Sequence, residues 1–154
     1  MAPLASVLLY ITHMTKLVKK RERILIVDDD EPSRHVMADS LADAGYTVEV
    51  AADGYEALDI AARRSPDLVV SDLAMPGIDG IELTRRLHAF ARDVPVVLTT
   101  GVDETHDVVT AANAYGAVAC LKKPMNLDEL IWTIDRALVL SEAGASLLAA
   151  GGAP

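Results

Sequence analysis

Four stretches place acids, hydroxyls or an ammonium directly after apolar runs. Asp28-Asp29-Asp30 follows Ile24-Leu25-Ile26-Val27, Ser71-Asp72 follows Leu68-Val69-Val70, Thr99-Thr100 follows Val96-Val97-Leu98, and Lys122-Lys123-Pro124 follows Leu121. Carboxylates brought to one place repel each other unless a cation joins them. Asp28, Asp29 and Asp72 offer only oxygen, which suits a hard ion such as Mg²⁺ that takes a few carboxylates and keeps waters. Beside a metal, one carboxylate can act as a nucleophile toward phosphorus. Lys123 supplies a compact positive charge and Thr100 a hydroxyl for the oxygens of a phosphoryl group. Phosphoryl transfer asks for little more than in-line positioning and neutralised charge. Each residue alone is commonplace, since acids cap helices and lysines are usually solvated. The ordered set is the signal.

Strands and helices must alternate for these groups to meet. Strand-like runs cover Arg23–Val27, Thr47–Ala51, Leu68–Ser71, Val94–Thr99 and Ala117–Leu121. Three of them are nearly continuous aliphatic runs, the pattern of strands buried on both faces of a parallel sheet. The segments between carry helical periods and ends. Pro32 suits a first helical turn and Gly45 a helix stop. Asp53 with Glu56, and Asn126 with Glu129, resemble capping boxes. Leu127, Leu130, Ile131, Ile134 and Leu138 form one stripe that packs, leaving Trp132 partly exposed. Five βα units with short connections imply an α/β fold, a parallel sheet with helices on both faces. Ligands of such sheets bind beyond the carboxyl ends of the strands, where the acids, Thr100 and Lys123 stand.

The bulk numbers agree with one domain in residues 23–140, flanked by an N-terminal extension (1–22) and a flexible tail (141–154). The 154 residues are 51% hydrophobic and 4% aromatic, so the core is aliphatic. One cysteine, Cys120, excludes an intrachain disulfide and suits a reducing cytoplasm. Net charge is −9, split between +4 in residues 1–23 and −13 in the remainder. An acidic body argues against direct nucleic-acid binding. The basic run Lys16, Lys19, Lys20 and Arg21 reads as a solvated lead-in to the first strand. Leu4–Ile11 is too short to span a bilayer and has its charges on the wrong side for a signal peptide. It reads as a frayed helix or a disordered extension, and Met14 offers an alternative start. Ala143–Pro154, rich in Ala and Gly, reads as a loose tail.

From about Arg23 to Leu140 the chain resembles the response-regulator receiver domains of two-component signalling. The resemblance is carried by Ile24–Asp30, by Pro66–Gly80 with its Ser71-Asp72-Leu73-Ala74-Met75-Pro76-Gly77, by Val94–Gly101 and by Leu121–Pro124. It implies a flavodoxin-like, doubly wound five-stranded parallel sheet of order 2-1-3-4-5. It also implies that Asp72 accepts the phosphoryl group. Asp29 would bind Mg²⁺ directly and Asp28 largely through water, with Asp72 and the backbone carbonyl of Ala74 completing the protein ligands. Thr100 becomes the switch hydroxyl, Lys123 pairs with a phosphate oxygen, and the Lys123–Pro124 bond is cis. The implied partners are a sensor histidine kinase or phosphotransfer protein as donor and a downstream protein target. A homodimer is also open to it. With no output domain attached, readout falls to protein–protein contact near Asp103–Ala114 and Asn126–Arg136, or to onward phosphorelay. The protein is then a cytoplasmic switch and not an enzyme, beyond self-phosphorylation from small donors and slow self-dephosphorylation.

Two positions depart from the family pattern. Cys120 stands where a switch aromatic is usual, and Ala74, two after the acceptor, has no side chain to orient a hydrolytic water. Other reactive residues read as structural. Asp30 is a helix-start residue and Lys122 a solvated neighbour of Lys123. His35 sits on a helix surface, and His13, His88 and His106 lack a paired acid or base. Two rivals remain. A haloacid-dehalogenase-like phosphatase would use Asp28-x-Asp30, Thr100 and Lys123-Pro124 but leave Asp72 without a task. A pseudo-receiver would keep the fold and signal by binding alone, an idea that Cys120 favours. A flavin-binding protein fits least, because the first strand ends in acids where a phosphate needs donors.

Overall fold

The computed structural model describes residues 3–8, 22–101 and 106–150, except the side chains of 106–109 and 143–150. Among the described residues from 22 onward, five strands alternate with five helices: β1 (Arg23–Val27), α1 (Glu31–Asp43), β2 (Thr47–Ala51), α2 (Gly54–Arg63), β3 (Leu68–Asp72), α3 (Gly80–His88), β4 (Val96–Thr100), α4 (His106–Ala114), β5 (Ala119–Lys122) and α5 (Leu127–Ala150). All pairings are parallel, in the order β2-β1-β3-β4-β5. This is the doubly wound, flavodoxin-like sheet that the resemblance implied.

Side chains alternate across the sheet and sort into two apolar layers. Ile24, Ile26, Val70 and Val97 pack with Met37 and Leu41 of α1 and Leu130 and Ile134 of α5. Leu25, Val27, Val69, Val96 and Leu98 pack on the other face with Ala57 and Ala61 of α2, Leu83 and Leu87 of α3, and Ala112 of α4. Each fully buried aliphatic side chain contributes about 1.5–3 kcal/mol relative to exposure. β1, β3 and β4 lie between the two layers, which is why their sequences are unbroken aliphatic runs. Trp132 stands off the packed stripe of α5 at 60% exposure, with the Arg136 guanidinium 5.2 Å from its ring centroid.

Helix ends follow the caps that the sequence offers. The Asp30 side chain accepts the Ser33 N–H at 3.0 Å to open α1, with Pro32 in its first turn. Asp53 accepts the Glu56 N–H, while Glu56 reaches back to the Ala52 N–H, both at 2.8 Å. Asn126 departs from its expected capping box with Glu129 and accepts the Asp128 N–H at 2.8 Å instead. Beyond Ala44, which caps α1, Gly45 turns the chain at φ +100°, a left-handed conformation that costs glycine little.

Several element ends differ from expectation for local reasons. β4 begins at Val96 and not Val94, because Pro95 has no N–H to place in a ladder. β5 begins at Ala119 and not Ala117, because the Ala117 N–H closes the end of α4 on the Ala112 carbonyl at 3.1 Å. β3 and β4 each run one residue further, bringing Asp72 and Thr100 inside the ladder. α5 continues to Ala150 through the stretch read as a loose tail. Its Ala, Leu and Glu residues favour helix and only Gly144 opposes it. A short helical stretch covers 4–8, while the basic run at Lys16–Arg21 lies outside the described residues. Among the described residues, no helix is long and apolar enough to cross a membrane.

Candidate functional site

The strand tips meet at one edge of the sheet. Pairing of β1 with β3 and of β3 with β4 sets Asp72 beside Thr99 and one step beyond the Val27–Ser71 pair. Ligand atoms of Asp28, Asp29 and Asp72 all lie within 4.8 Å of one another. The Lys123 ammonium lies 3.1 Å from Asp28 Oδ2 and 3.4 Å from Asp72 Oδ2. Its backbone N–H reaches the Thr100 carbonyl at 2.7 Å, holding the lysine against the β4 tip, and the Lys123–Pro124 bond is cis.

Local chemistry fixes each tip. Asp28 extends β1 through its N–H to the Ala51 carbonyl at 3.2 Å. Its Oδ1 accepts the Asp30 N–H at 2.9 Å, a side-chain turn that leads into the α1 cap. Asp28 is fully buried, with one carboxylate oxygen on Asp30 and the other on Lys123. On β3, the Leu73 N–H reaches the Thr99 carbonyl at 2.9 Å and the Gly80 N–H reaches the Leu73 carbonyl at 2.8 Å. The start of α3 therefore lies directly over the end of β3. A Cβ at Gly80 would come 2.7 Å from the Asp72 carbonyl oxygen, so only glycine allows this approach.

Burial and charge set the protonation of the site. Burial, with Asp28 and Asp29 nearby, pushes the Asp72 carboxyl above its usual range despite the opposing field of Lys123. Burial works against the Lys123 charge, yet its hydrogen bond to Asp28 and the fields of both acids outweigh that and raise it. Three carboxylates meet here, and the Lys123 ammonium contacts two of them, Asp28 and Asp72. A bound cation is what this imbalance accommodates, and an all-oxygen donor set fits Mg²⁺.

The expected residues differ in how far they converge. Asp28, Asp29, Asp72 and Lys123 come together. Thr100 is buried at the adjacent β4 tip, and Ala74 is exposed in the loop after β3. Lys122 is exposed, as strand alternation required, and Asp30 serves the helix cap. Cys120 is half-buried against the α2–α4 layer. Sequence reasoning missed Arg34, whose Nη1 donates to the Asp28 carbonyl at 2.6 Å. The signal was a cation in the first turns of the helix that Asp30 opens.

Comparison with known proteins agrees with this geometry. The model of the response regulator receiver domain family matches residues 24–135, and the chain belongs to that family of two-component systems. Response regulator MprA of Mycobacterium sp. (strain KMS) is 44% identical over 109 residues, 71% of this chain and 47% of that protein. Response regulator MprA of Mycobacterium leprae is 44% identical over 117 residues, 76% of this chain and 50% of its own length. The chain thus spans about half the length of the curated relatives it matches. Among solved structures, the CheY-like receiver domain protein of Methanospirillum hungatei superposes with TM-score 0.77 at 29% identity, covering 81% of this chain and 99% of that one. NtrX of Brucella abortus gives TM-score 0.78 at 30% identity over 83% of this chain and 29% of its own.

Proposed function

We propose that Asp72 accepts a phosphoryl group from the phosphohistidine of a sensor kinase or phosphotransfer protein, and that the phosphorylated protein signals by protein–protein contact. The observation that carries this is the nearly buried Asp72 carboxylate, grouped with Asp29 and facing Lys123 at 3.4 Å. An Asp72 oxygen attacks phosphorus in line, the new O–P bond forms as the P–N bond to the donor imidazole breaks, and the imidazole leaves. Asp28 keeps Lys123 aimed at the site, so that its charge meets the oxygens of the arriving group. Asp29, Asp72 and the Ala74 carbonyl would hold Mg²⁺, with Asp28 acting on it through water; the ion supplies neutralisation of charge on the phosphoryl oxygens. Thr100 then donates its hydroxyl to the phosphorylated site and re-packs the β4 tip.

The output surface in this reading is the face of α4, β5 and α5. Trp132 of α5 is exposed there and offers an anchor to a partner. The phosphatase rival loses its nucleophile. Asp28 has no exposed surface and both its oxygens are engaged, while Asp30 is committed to the α1 cap. Cys120 keeps the pseudo-receiver as a second reading.

Incubation with Mg²⁺ and acetyl phosphate, followed by intact mass measurement, separates the two. One phosphoryl adduct is expected, absent in Asp72→Ala and in EDTA. Failure to form it in wild type, with a kinase donor also tried, moves the assignment to the pseudo-receiver.

A further inference from the structure

Asp28 and Asp29 are neighbours with opposite circumstances. Asp28 is tied at four atoms: its N–H to the Ala51 carbonyl, Oδ1 to the Asp30 N–H, Oδ2 to Lys123, and its carbonyl oxygen to Arg34 Nη1. Asp29 is exposed, and among the described residues no hydrogen bond or ion pair fixes its carboxylate. Its direction is therefore inherited from the backbone. The peptide plane joining the two residues contains the Asp28 carbonyl oxygen, and Arg34 holds that oxygen at 2.6 Å. Arg34 reaches it from α1, whose start is set by the Asp30 cap, so strand tip, turn and helix form one closed unit.

We infer that Arg34 is a positioning residue for the metal site: by holding the Asp28–Asp29 peptide it aims the Asp29 carboxylate toward Asp72. The inference rests on the reading that Asp29 and Asp72 hold Mg²⁺. Groups that orient metal ligands without touching the ion typically change affinity by about 10–100-fold when removed. The alternative role for Arg34 is that of a counter-charge to the acids, and the two roles have opposite signs. Loss of a nearby cation alone strengthens the attraction of the acids for Mg²⁺, whereas loss of the clamp weakens binding.

Calorimetric titration of Mg²⁺ into the full chain decides between them, using wild type, Arg34→Met and Arg34→Lys. Expected is a dissociation constant raised about tenfold or more in Arg34→Met. A smaller rise is expected in Arg34→Lys, which keeps the charge and one donor. In parallel, the Mg²⁺ concentration for half-maximal acetyl phosphate labelling rises by a similar factor, with the same final extent. Equal or tighter binding by Arg34→Met overturns the inference. So does equal weakening in both variants, which would assign the effect to side-chain packing. Wild type that takes up no Mg²⁺ overturns the metal reading itself, and the role of Arg34 with it. Thermal unfolding without Mg²⁺ identifies a variant that has lost its fold, in which case Arg34→Lys alone carries the test, its weaker Mg²⁺ binding supporting the clamp and unchanged binding overturning it.

Discussion

Both ends of the sheet bury charge, and they do so in opposite ways. At the amino end, Arg23 is 8% exposed and its guanidinium is tied at both terminal nitrogens, while the neighbouring Glu22 Oε2 is buried with no partner among the described residues. The Arg23 guanidinium pairs with Glu49 and donates to the Arg64 and Ser65 carbonyls at 3.2 Å each, while the residue's backbone N–H reaches Asp67 Oδ2 at 2.7 Å. At the carboxyl end three acids cluster, Lys123 contacts Asp28 and Asp72, and no hydrogen bond or ion pair fixes Asp29 among the described residues. Saturated charge acts as a rivet, tying β1 to β2 and to the segment before β3. Charge left over is free energy available to a ligand.

The sharpest break of this comparison is Arg23→Met. Loss of the guanidinium leaves Glu49 uncompensated and two carbonyls without a donor, so unfolding free energy should fall by about 3 kcal/mol. Chemical denaturation with and without Mg²⁺ should give the same loss, because the rivet lies at the other end of the strands from the acids. A loss that depended on Mg²⁺ would mean that the two ends are not independent.

Mg²⁺ itself is the next largest effect. Wild type at a hundredfold excess over the dissociation constant should gain about 2.7 kcal/mol, and Asp29→Asn should lose most of that gain. Without Mg²⁺ the order reverses. Asp29→Asn should be the more stable protein, since it removes one of three mutually repelling carboxylates. Denaturant midpoints for both proteins in EDTA and in Mg²⁺ test this crossing. If Asp29→Asn is the less stable in EDTA, the carboxyl end is not a site of unbalanced charge.

The contrast between the ends also explains what the sequence made legible. Aliphatic runs ending in Asp28, Asp72, Thr100 and Lys123 pointed to the candidate site, because burial on both faces of a parallel sheet leaves a one-dimensional mark. Helix starts at Asp30 and Asp53 were equally plain, since a cap acts within three residues. The task of Asp28 was not, for it depends on Lys123, 95 positions away, taking one oxygen while Asp30 takes the other. Arg34 escaped for a similar reason. A cation on a helix looks solvated until the turn geometry points its guanidinium at the strand tip. The starts of β4 and β5 were misplaced because apolar character continues through Pro95 and Ala117, whereas ladder hydrogen bonding does not.

The smallest effect concerns charge that is satisfied but open to water. Glu82, in the first turn of α3, receives Arg85 Nη2 at 2.8 Å and Arg86 Nε at 2.6 Å on one oxygen. Arg85 Nε adds a third bond, at 2.8 Å to the other oxygen, so the contacts match those of the Arg23 guanidinium in number but not in burial, and salt and solvent should erase most of their value. The hydrogen bonds from Arg85 and Arg86 hold the Glu82 carboxyl down to about 2. A carboxylate depressed by folding contributes stability that is full above its ordinary range, near pH 4.3, and is lost as pH falls toward the folded value. Glu82→Gln should therefore be slightly less stable than wild type at pH 6, and the gap should narrow between about pH 4 and 2. Half-molar salt should shrink it at every pH. A gap as large as that of Arg23→Met, or one that ignored salt, would show that burial is not what separates the rivet from the surface pair.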